Sequence, residues 1–145
     1  MENQYLKKII AQSPEDLNVI SACCSEGRVN IKDVKYLASN KIFLMSILRL
    51  SKEEENKNKQ INSIIKFEFI NSSKSKNIDQ KDPNLTLELL AIDIFKKEQN
   101  FEIIMLFSKN RIITLSAEVI EVTLEDQKVE NLSLIHISEP TRPLS

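Results

Sequence analysis

Apolar residues follow a helical period near the N-terminus of the chain and a strand period after it. Residues 4–10 form a short apolar stretch that predicts a first strand. Ser13 and Pro14 then supply an N-cap and a first helical residue, and apolar side chains follow at helical spacing. Gly27 stands where a C-terminal cap is expected. The sequence therefore predicts one helix over residues 14–26.

Beyond this helix, apolar and polar residues alternate, which is the period of a half-buried strand. The segments 51–60 and 71–84 interrupt the alternation with charged and polar residues, and both predict loops. In the last alternating stretch the apolar phase slips after Val119, which predicts a bulge or a corner. The predicted strands are residues 34–38, 41–50, 61–70, 85–95, 101–107 and 111–124.

These strands form two consecutive groups of three, which either an internal duplication or ordinary strand composition would produce. Two three-stranded meanders would build a curved sheet, and the N-terminal helix would cover its open side. We therefore expect an α+β fold with one N-terminal helix and six to eight mostly antiparallel strands, arranged in a curved sheet or a partly closed barrel.

Length and composition indicate one small globular domain. The chain has 145 residues, of which 41% are apolar and 28% are charged. Its formal net charge of −1 gives no field that would attract a nucleic acid or an anionic membrane. Lysine dominates the 20 basic residues, but lysine, isoleucine and asparagine share A/T-rich codons, so genome composition explains this bias. We expect a domain that does not bind nucleic acid.

The cysteines and the first residues of the chain indicate where the protein resides. Cys23 and Cys24 are adjacent on the predicted helix, where side chains about 100° apart cannot close an unstrained disulfide. Residues 1–10 lack the apolar run of a signal peptide, and no window of the sequence is apolar enough for a membrane span. The sequence therefore predicts a reduced, cytoplasmic protein.

The segment from Leu132 to Arg142, LSLIHISEPTR, resembles the translation of a transposon-end adaptor used in DNA library preparation. The alternative is a natural, disordered C-terminal tail. We expect residues 1–131 to form one native domain and residues 132–145 to be adaptor-derived and disordered. Because His136 is the only histidine of the chain, this native domain would contain none.

Five short motifs extend from the predicted helix to the last predicted strand. They are Glu15-Asp16-Leu17, Val19 to Ala22, Asp33 with Tyr36 and Leu37, Leu89 to Ile92, and Val119 to Asp126. In this order they resemble a small, mainly alphaproteobacterial family catalogued as domain of unknown function 2948. The Cys23-Cys24 pair and the lysine-rich loops depart from the family pattern. The resemblance implies a stand-alone bacterial domain, and it carries over no activity, cofactor or site residue.

Two sets of residues are candidates for catalytic chemistry. Cys23 and Cys24 are the only thiols, and without a native histidine to act as a base they are better explained as partly buried structural thiols. A group of acids near the C-terminus could suggest paired carboxylates, but acids that alternate with apolar residues are typical of a half-exposed strand. These acids are Glu118, Glu121, Glu125 and Asp126.

Lysines on the predicted loops could form a basic rim for phosphorylated lipids or nucleic acid. They are Lys52, Lys57, Lys59, Lys74 and Lys76. Glutamates 53–55 lie among the first of them, so solvated loops are favoured over a binding rim. The sequence has no metal-ligand spacing, and its single glycine excludes a glycine-rich phosphate loop. We therefore expect no catalytic, cofactor-binding or metal-binding residues.

The function that these observations favour is a non-enzymatic protein-interaction or accessory module, with a homo-oligomer or an unknown protein as its partner. The alternative is a domain that binds a small ligand or a lipid headgroup through a barrel mouth or the lysine loops. An enzyme is the least favoured class. An exposed apolar strand face or an open edge would favour the first function, and a polar-rimmed cavity would favour the second.

Overall fold

The computed structural model of the protein describes the backbone of residues 6–54 and 57–127. It describes the side chains of the same residues except 51–54 and 57–59. One helix and ten strands follow in chain order, with short 3-10 turns over Ile31–Asp33 and Ala38–Asn40. They are β1 Lys8–Ala11, α1 Pro14–Cys24, β2 Arg28–Asn30, β3 Val34–Leu37, β4 Ile42–Glu54, β5 Lys57–Phe67, β6 Ile70–Lys76, β7 Thr86–Lys97, β8 Asn100–Phe107, β9 Arg111–Ala117 and β10 Val122–Asp126. The predicted adaptor-derived segment 132–145 lies outside the described residues.

The strands form one antiparallel sheet in the order β1-β10-β5-β4-β2-β7-β8-β9-β6, and β3 pairs with β4 at the side of this path. The sheet is not closed, because β1 and β6 stand at the two ends of the pairing order. The predicted α+β class with mostly antiparallel strands is confirmed, with ten strands in the described part of the chain instead of six to eight.

Most of the additional strand residues come from the two segments that were predicted to be loops, and β2 supplies three more. Residues 51–54 and 57–60 extend β4 and β5 into a long hairpin, and residues 71–76 belong to β6. The loop prediction is therefore wrong at these positions. Strand β6 pairs only with β9 among the described strands, and such an edge strand is held by backbone hydrogen bonds without an apolar alternation of its own.

Both predicted groups of three strands are antiparallel meanders. Strands β3, β4 and β5 pair in succession, as do β7, β8 and β9. Strand β2 lies between β4 and β7 and joins the two meanders into one sheet. This arrangement agrees with the predicted grouping and fits either origin, an internal duplication or ordinary strand composition.

The predicted slip of the apolar phase is a corner. The last predicted strand divides into β9 and β10, and residues 118–121 make the bend between them, with Val119 exposed and Ile120 buried. A second bend at residues 68–69 separates β5 from β6 and lies against the first. The Glu118 amide donates to the Phe69 carbonyl over 3.0 Å. Phe69 has a φ of 61°, a rare conformation for a bulky side chain that the double corner holds in place.

The helix begins as its sequence predicts and ends two residues earlier. The Ser13 hydroxyl accepts a hydrogen bond from the Asp16 amide over 3.1 Å, and Pro14 is the first helical residue. After Cys24, Glu26 rather than Gly27 adopts the left-handed conformation, with a φ of 70°. The C-cap is Ser25, so the prediction that Gly27 caps the helix is wrong.

Gly27 is required instead for close packing against the sheet. A Cβ atom at this position would lie 2.6 Å from Ile47 Cδ1 and 2.7 Å from Ile47 Cγ1, well inside van der Waals contact. The Gly27 amide also donates to the Cys24 carbonyl over 2.9 Å. The absence of a side chain allows the chain to leave the helix directly beside strand β4.

The core lies between the inward faces of the strands and helix α1. Phe43, Met45 and Ile47 alternate inward along β4, and the Phe43 and Phe67 rings meet edge to face with centroids 5.9 Å apart. The helix contributes Leu17, Ile20 and Cys24 to the same buried cluster. Within the described residues, no helix is long and apolar enough to cross a membrane.

Candidate functional site

A charged residue occupies an inward position of strand β4, at the end of its apolar series. Arg49 follows Phe43, Met45 and Ile47 in the same strand phase, so its side chain enters the interior and is only 2% exposed. Its partner, Asp126, is the last residue of β10 and is 5% exposed. Strand β5 lies between the two strands in the sheet, and the arginine side chain reaches across it.

The two side chains form a bidentate ion pair. Arg49 Nε donates to Asp126 Oδ1 over 3.0 Å, and Arg49 Nη2 donates to Asp126 Oδ2 over 2.7 Å. Ser63, on the intervening strand, accepts from Arg49 Nε over 3.1 Å and donates to Asp126 Oδ1 over 2.6 Å. The Lys7 amide, just before β1, donates to Asp126 Oδ2 over 2.9 Å. This cluster therefore joins β4, β5 and β10 to the N-terminal strand.

The surroundings of the pair stabilise both charges. Burial would favour neutral arginine, but the hydrogen bonds and charge of Asp126 outweigh it, so the pKa of Arg49 is raised. Burial likewise acts to raise the pKa of Asp126, but hydrogen bonds from Arg49, Ser63 and the Lys7 amide outweigh it and lower that pKa below its ordinary value. Neither group therefore exchanges a proton near neutral pH, and the pair is suited to structure and binding.

An open cleft of about 590 Å³ lies between the second half of α1, the end of β4 and Lys7. This volume falls within the range of small-molecule sites. Its lining combines polar and apolar groups. The lining residues are Lys7, Asn18, Val19, Ala22, Cys23, Ser25, Glu26, Arg49 and Leu50.

The structure separates the two adjacent thiols. Cys24 is fully buried in the core, and burial raises the pKa of its thiol from 9.0 to about 12. Cys23 is half-buried and lines the cleft. Both thiols are free. Cys23 is partly buried, as predicted, whereas Cys24 is more deeply buried than predicted.

We expect thiol-specific reagents to modify the folded protein at Cys23 and not at Cys24, because Cys24 is buried and largely un-ionised at pH 8. The measurement is the stoichiometry of labelling by mass spectrometry under native conditions. Cys24→Ser is expected to retain one reactive thiol and Cys23→Ser to lose it. Rapid labelling of Cys23→Ser at neutral pH, with the fold intact by circular dichroism, would contradict this assignment.

The C-terminal acids have separate surroundings. Glu118 is exposed and pairs with Lys41 over 2.9 Å, and the hydrogen bond and charge of this lysine lower its pKa. Glu121 accepts a hydrogen bond from the Gln12 side chain over 2.9 Å, and Glu125 is exposed. Asp126 is buried in the ion pair, so the prediction of a half-exposed strand position is wrong for this residue. The structure does not bring these acids together as a carboxylate pair.

The candidate lysines lie on strands and not on loops. Lys74 and Lys76 belong to β6, are exposed, and pair in register with Thr114 and Ile112 of β9. The other three belong to the β4–β5 hairpin, where their side chains fall outside the described set. The loop placement of this basic rim is therefore wrong.

A second surface stands out on the outward side of strands β7, β8, β9 and β6. Buried and half-buried residues alternate along β8 and β9, so Ile104, Leu106 and Ile112 point away from the core. Two rows of residues that pair across these strands form a surface that we call the outer face. The rows are Ala91-Leu106-Ile112-Lys76 and Asp93-Ile104-Thr114-Lys74. Leu90 and Phe95, at 48% and 55% exposure, flank these rows on β7.

Sequence reasoning did not identify the ion pair or the outer face. The sequence contained one indication that Arg49 is buried, because Arg49 continues the inward phase of the apolar residues before it on β4. A buried arginine requires an acidic partner. Nothing local identified Asp126 as that partner, since 77 positions separate the two residues. Within the described residues, no group of three or more potential metal ligands is present.

The described part of the chain is a small α+β domain, in which one helix and a single antiparallel sheet enclose a common core. The chain belongs to the family described as "Protein of unknown function (DUF2948)", whose model matches residues 7–136, and the resemblance seen in the sequence is thereby confirmed.

A solved structure similar to this chain is described as "Crystal structure of an uncharacterized protein from Neisseria gonorrhoeae". The two share 18% sequence identity with a TM-score of 0.44, over 82% of this chain and 97% of that chain. No curated protein matches the chain.

Proposed function

We propose that this domain is a non-enzymatic protein-interaction or accessory module that binds a protein partner through the outer face. The observation that supports this function is the apolar centre of that face. On the solvated side of an antiparallel sheet, outward positions are ordinarily polar, whereas here Ile104, Leu106 and Ile112 occupy adjacent outward positions. Contiguous apolar surface of this kind marks partner sites.

The shape of the outer face favours a protein over a small molecule as its ligand. Outward side chains of neighbouring strands form a broad sheet surface, whereas small molecules bind in concave sites that enclose them. Leu90 and Phe95 extend the apolar surface along β7. The charged residues Asp93 and Lys74 lie at its margins, as in the polar rim of a protein interface.

The non-enzymatic part of the proposal is supported by the state of the candidate groups. Cys24 is buried with a raised pKa, and Asp126 is held as a carboxylate by Arg49, so neither is poised for proton transfer near neutral pH. We place the module in the cytoplasm, which agrees with the two free, adjacent cysteines.

We expect Leu106→Lys to abolish partner binding, because it introduces a charge at the centre of the apolar surface. The measurement is affinity capture from a lysate of the source organism, quantified by mass spectrometry for wild type, Leu106→Lys and the control Ile10→Lys. Ile10 is 52% exposed on β1, at the other end of the sheet from β6. A partner retained by wild type and control and lost from Leu106→Lys supports the proposal. A partner captured equally by all three proteins would place the binding surface outside the outer face.

The cleft favours a second candidate function, the binding of a small ligand. Arg49, a charged residue, lines this cleft together with the apolar Val19 and Ala22 of α1, and such a combination of polar and apolar groups suits a small ligand. A small molecule that shifts the amide signals of Asn18 and Ala22 in NMR spectra, and not those of the outer face, would favour this function.

A further inference from the structure

We infer that the protein partner of the outer face is a second copy of this chain. This inference rests on the proposed function, because it requires the outer face to be a binding surface. Charge is distributed unequally across that face. One margin carries an acid, the centre is apolar apart from Thr114, and the other margin carries lysines.

The register of the strands fixes this distribution. Asp93 of β7 pairs with Ile104 of β8, Ile104 pairs with Thr114 of β9, and Thr114 pairs with Lys74 of β6. These four residues form one row across the sheet, with opposite charges at its two ends. The next row ends in Lys76 on the same margin as Lys74. Both Asp93 and Lys74 are exposed.

The two charged ends of the row are too far apart to pair within one chain. Neighbouring strands lie about 4.8 Å apart, so three strand intervals place Asp93 and Lys74 about 14 Å from each other. Within one chain, these two charges therefore do not pair with each other across this face.

A second copy supplies both partners at once when it is related by a two-fold axis. The axis runs parallel to the strands and lies above the outer face, over the gap between β8 and β9. The outer faces of the two copies then face each other across the axis. This rotation exchanges the two margins of the sheet, so Asp93 of each copy meets Lys74 of the other. The same rotation places the apolar side chains of β8 over those of β9. The two sheets then pack face to face with their strands aligned, which is a common sheet packing.

Two-fold self-association fits the face better than association with an unrelated protein. An isologous interface requires a surface that is complementary to itself, and the exchange of margins meets this requirement for charge and for apolar area. Two rows of four strands form a small contact, so the dimer belongs to the class of weak interfaces that dissociate on dilution.

The test is sedimentation velocity over a concentration series with two charge reversals, Asp93→Lys and Lys74→Asp. Each variant alone places like charges opposite each other at both ends of the interface, so each is expected to remain monomeric at concentrations where the wild type is dimeric. In an equimolar mixture of the two variants, both ion pairs are restored across the interface. We expect the mixture to form a heterodimer, with dimer content near that of the wild type. Both positions are exposed, and circular dichroism verifies that the variants fold.

The possible outcomes separate this inference from the proposed function. Rescue by mixing supports the two-fold arrangement, because a purely structural effect of either substitution would persist in the mixture. A wild type that stays monomeric at every concentration overturns the self-association, while loss of a different captured protein from Leu106→Lys would still support the interaction module. A dimer that neither reversal weakens overturns the inference by placing the contact on another surface.

Discussion

Asp126→Ala is expected to lower the free energy of unfolding by about 3–5 kcal/mol, the usual cost of leaving one partner of a buried ion pair without the other. Arg49 is 2% exposed and has its carboxylate partner in Asp126, so the substitution leaves a buried positive charge uncompensated. Ser63 and the Lys7 amide also lose an acceptor. Urea denaturation followed by circular dichroism measures the change.

Two matched variants separate the charge effect from other consequences of the substitution. Glu125→Ala removes the neighbouring exposed acid and is expected to change stability by less than about 0.5 kcal/mol. The double substitution Arg49→Met with Asp126→Leu removes both charges and is expected to be more stable than Asp126→Ala, since apolar residues can replace a buried pair. If the double variant is instead less stable than Asp126→Ala, burial of an unpaired charge is not the cause.

The Asp126 carboxylate also makes the stability of the folded protein depend on pH. Its pKa is lowered in the folded protein, whereas an aspartate in the unfolded chain titrates at about 3.9. The stabilisation is therefore fully present above about pH 4 and is lost as the pH falls through the folded-state pKa. The stability difference between wild type and Asp126→Ala is expected to narrow over this acidic range.

Gly27→Ala is expected to destabilise the domain by about 1–3 kcal/mol through overpacking. The added methyl group would lie 2.6 Å from Ile47 Cδ1 and 3.0 Å from the Cys24 carbonyl oxygen. Ile47 is fully buried, so its side chain has little room to move away. The opposing gain from reduced freedom of the unfolded chain is only about 0.4–1 kcal/mol, so steric overlap determines the sign.

A double-mutant cycle with Ile47→Ala tests this explanation, because that substitution removes both Cδ1 and Cγ1, the two Ile47 atoms closest to the new methyl group. We expect Gly27→Ala to cost less in the Ile47→Ala background than in wild type. Ser25→Ala, a change at an exposed position beside the turn, is the control and should have little effect. Equal costs of Gly27→Ala in both backgrounds would indicate that backbone strain, and not Ile47, is responsible.

Local sequence patterns predicted the structure correctly where that structure depends only on residues that are neighbours in the sequence. The Ser13-Pro14 start of the helix and the phase slip after Val119 were both predictable, because capping and alternation are properties of neighbouring residues. Strand β6, with the sequence INSSKSK, was not predictable, because its strand state depends on backbone pairing with β9. The prediction for Gly27 was wrong because its reason lies in Ile47, on a different element.

The candidate sites depend even more on contacts that sequence does not show. Arg49 and Asp126 meet only because β10 returns to lie beside β5. The outer face likewise exists only in the final register, since a shift of one residue would turn Ile104 and Leu106 inward. Alternation of apolar and polar residues predicted the strands. The opposite charges at the two margins of the outer face depend instead on which residues of β7, β8, β9 and β6 pair with one another.

The double corner also has a consequence for how the chain folds. Hairpins β4–β5, β7–β8 and β8–β9 join strands that are adjacent in sequence, so each can form by closing a short loop. The corner instead requires segment 57–76 to pair with segment 111–126 on both sides of the bend, and strands β7 and β8 lie between these segments in the sequence. Contacts between residues this distant in sequence form slowly. The meanders are therefore expected to form early, and closure of the corner, with the left-handed Phe69, to be a late and rate-limiting step of folding.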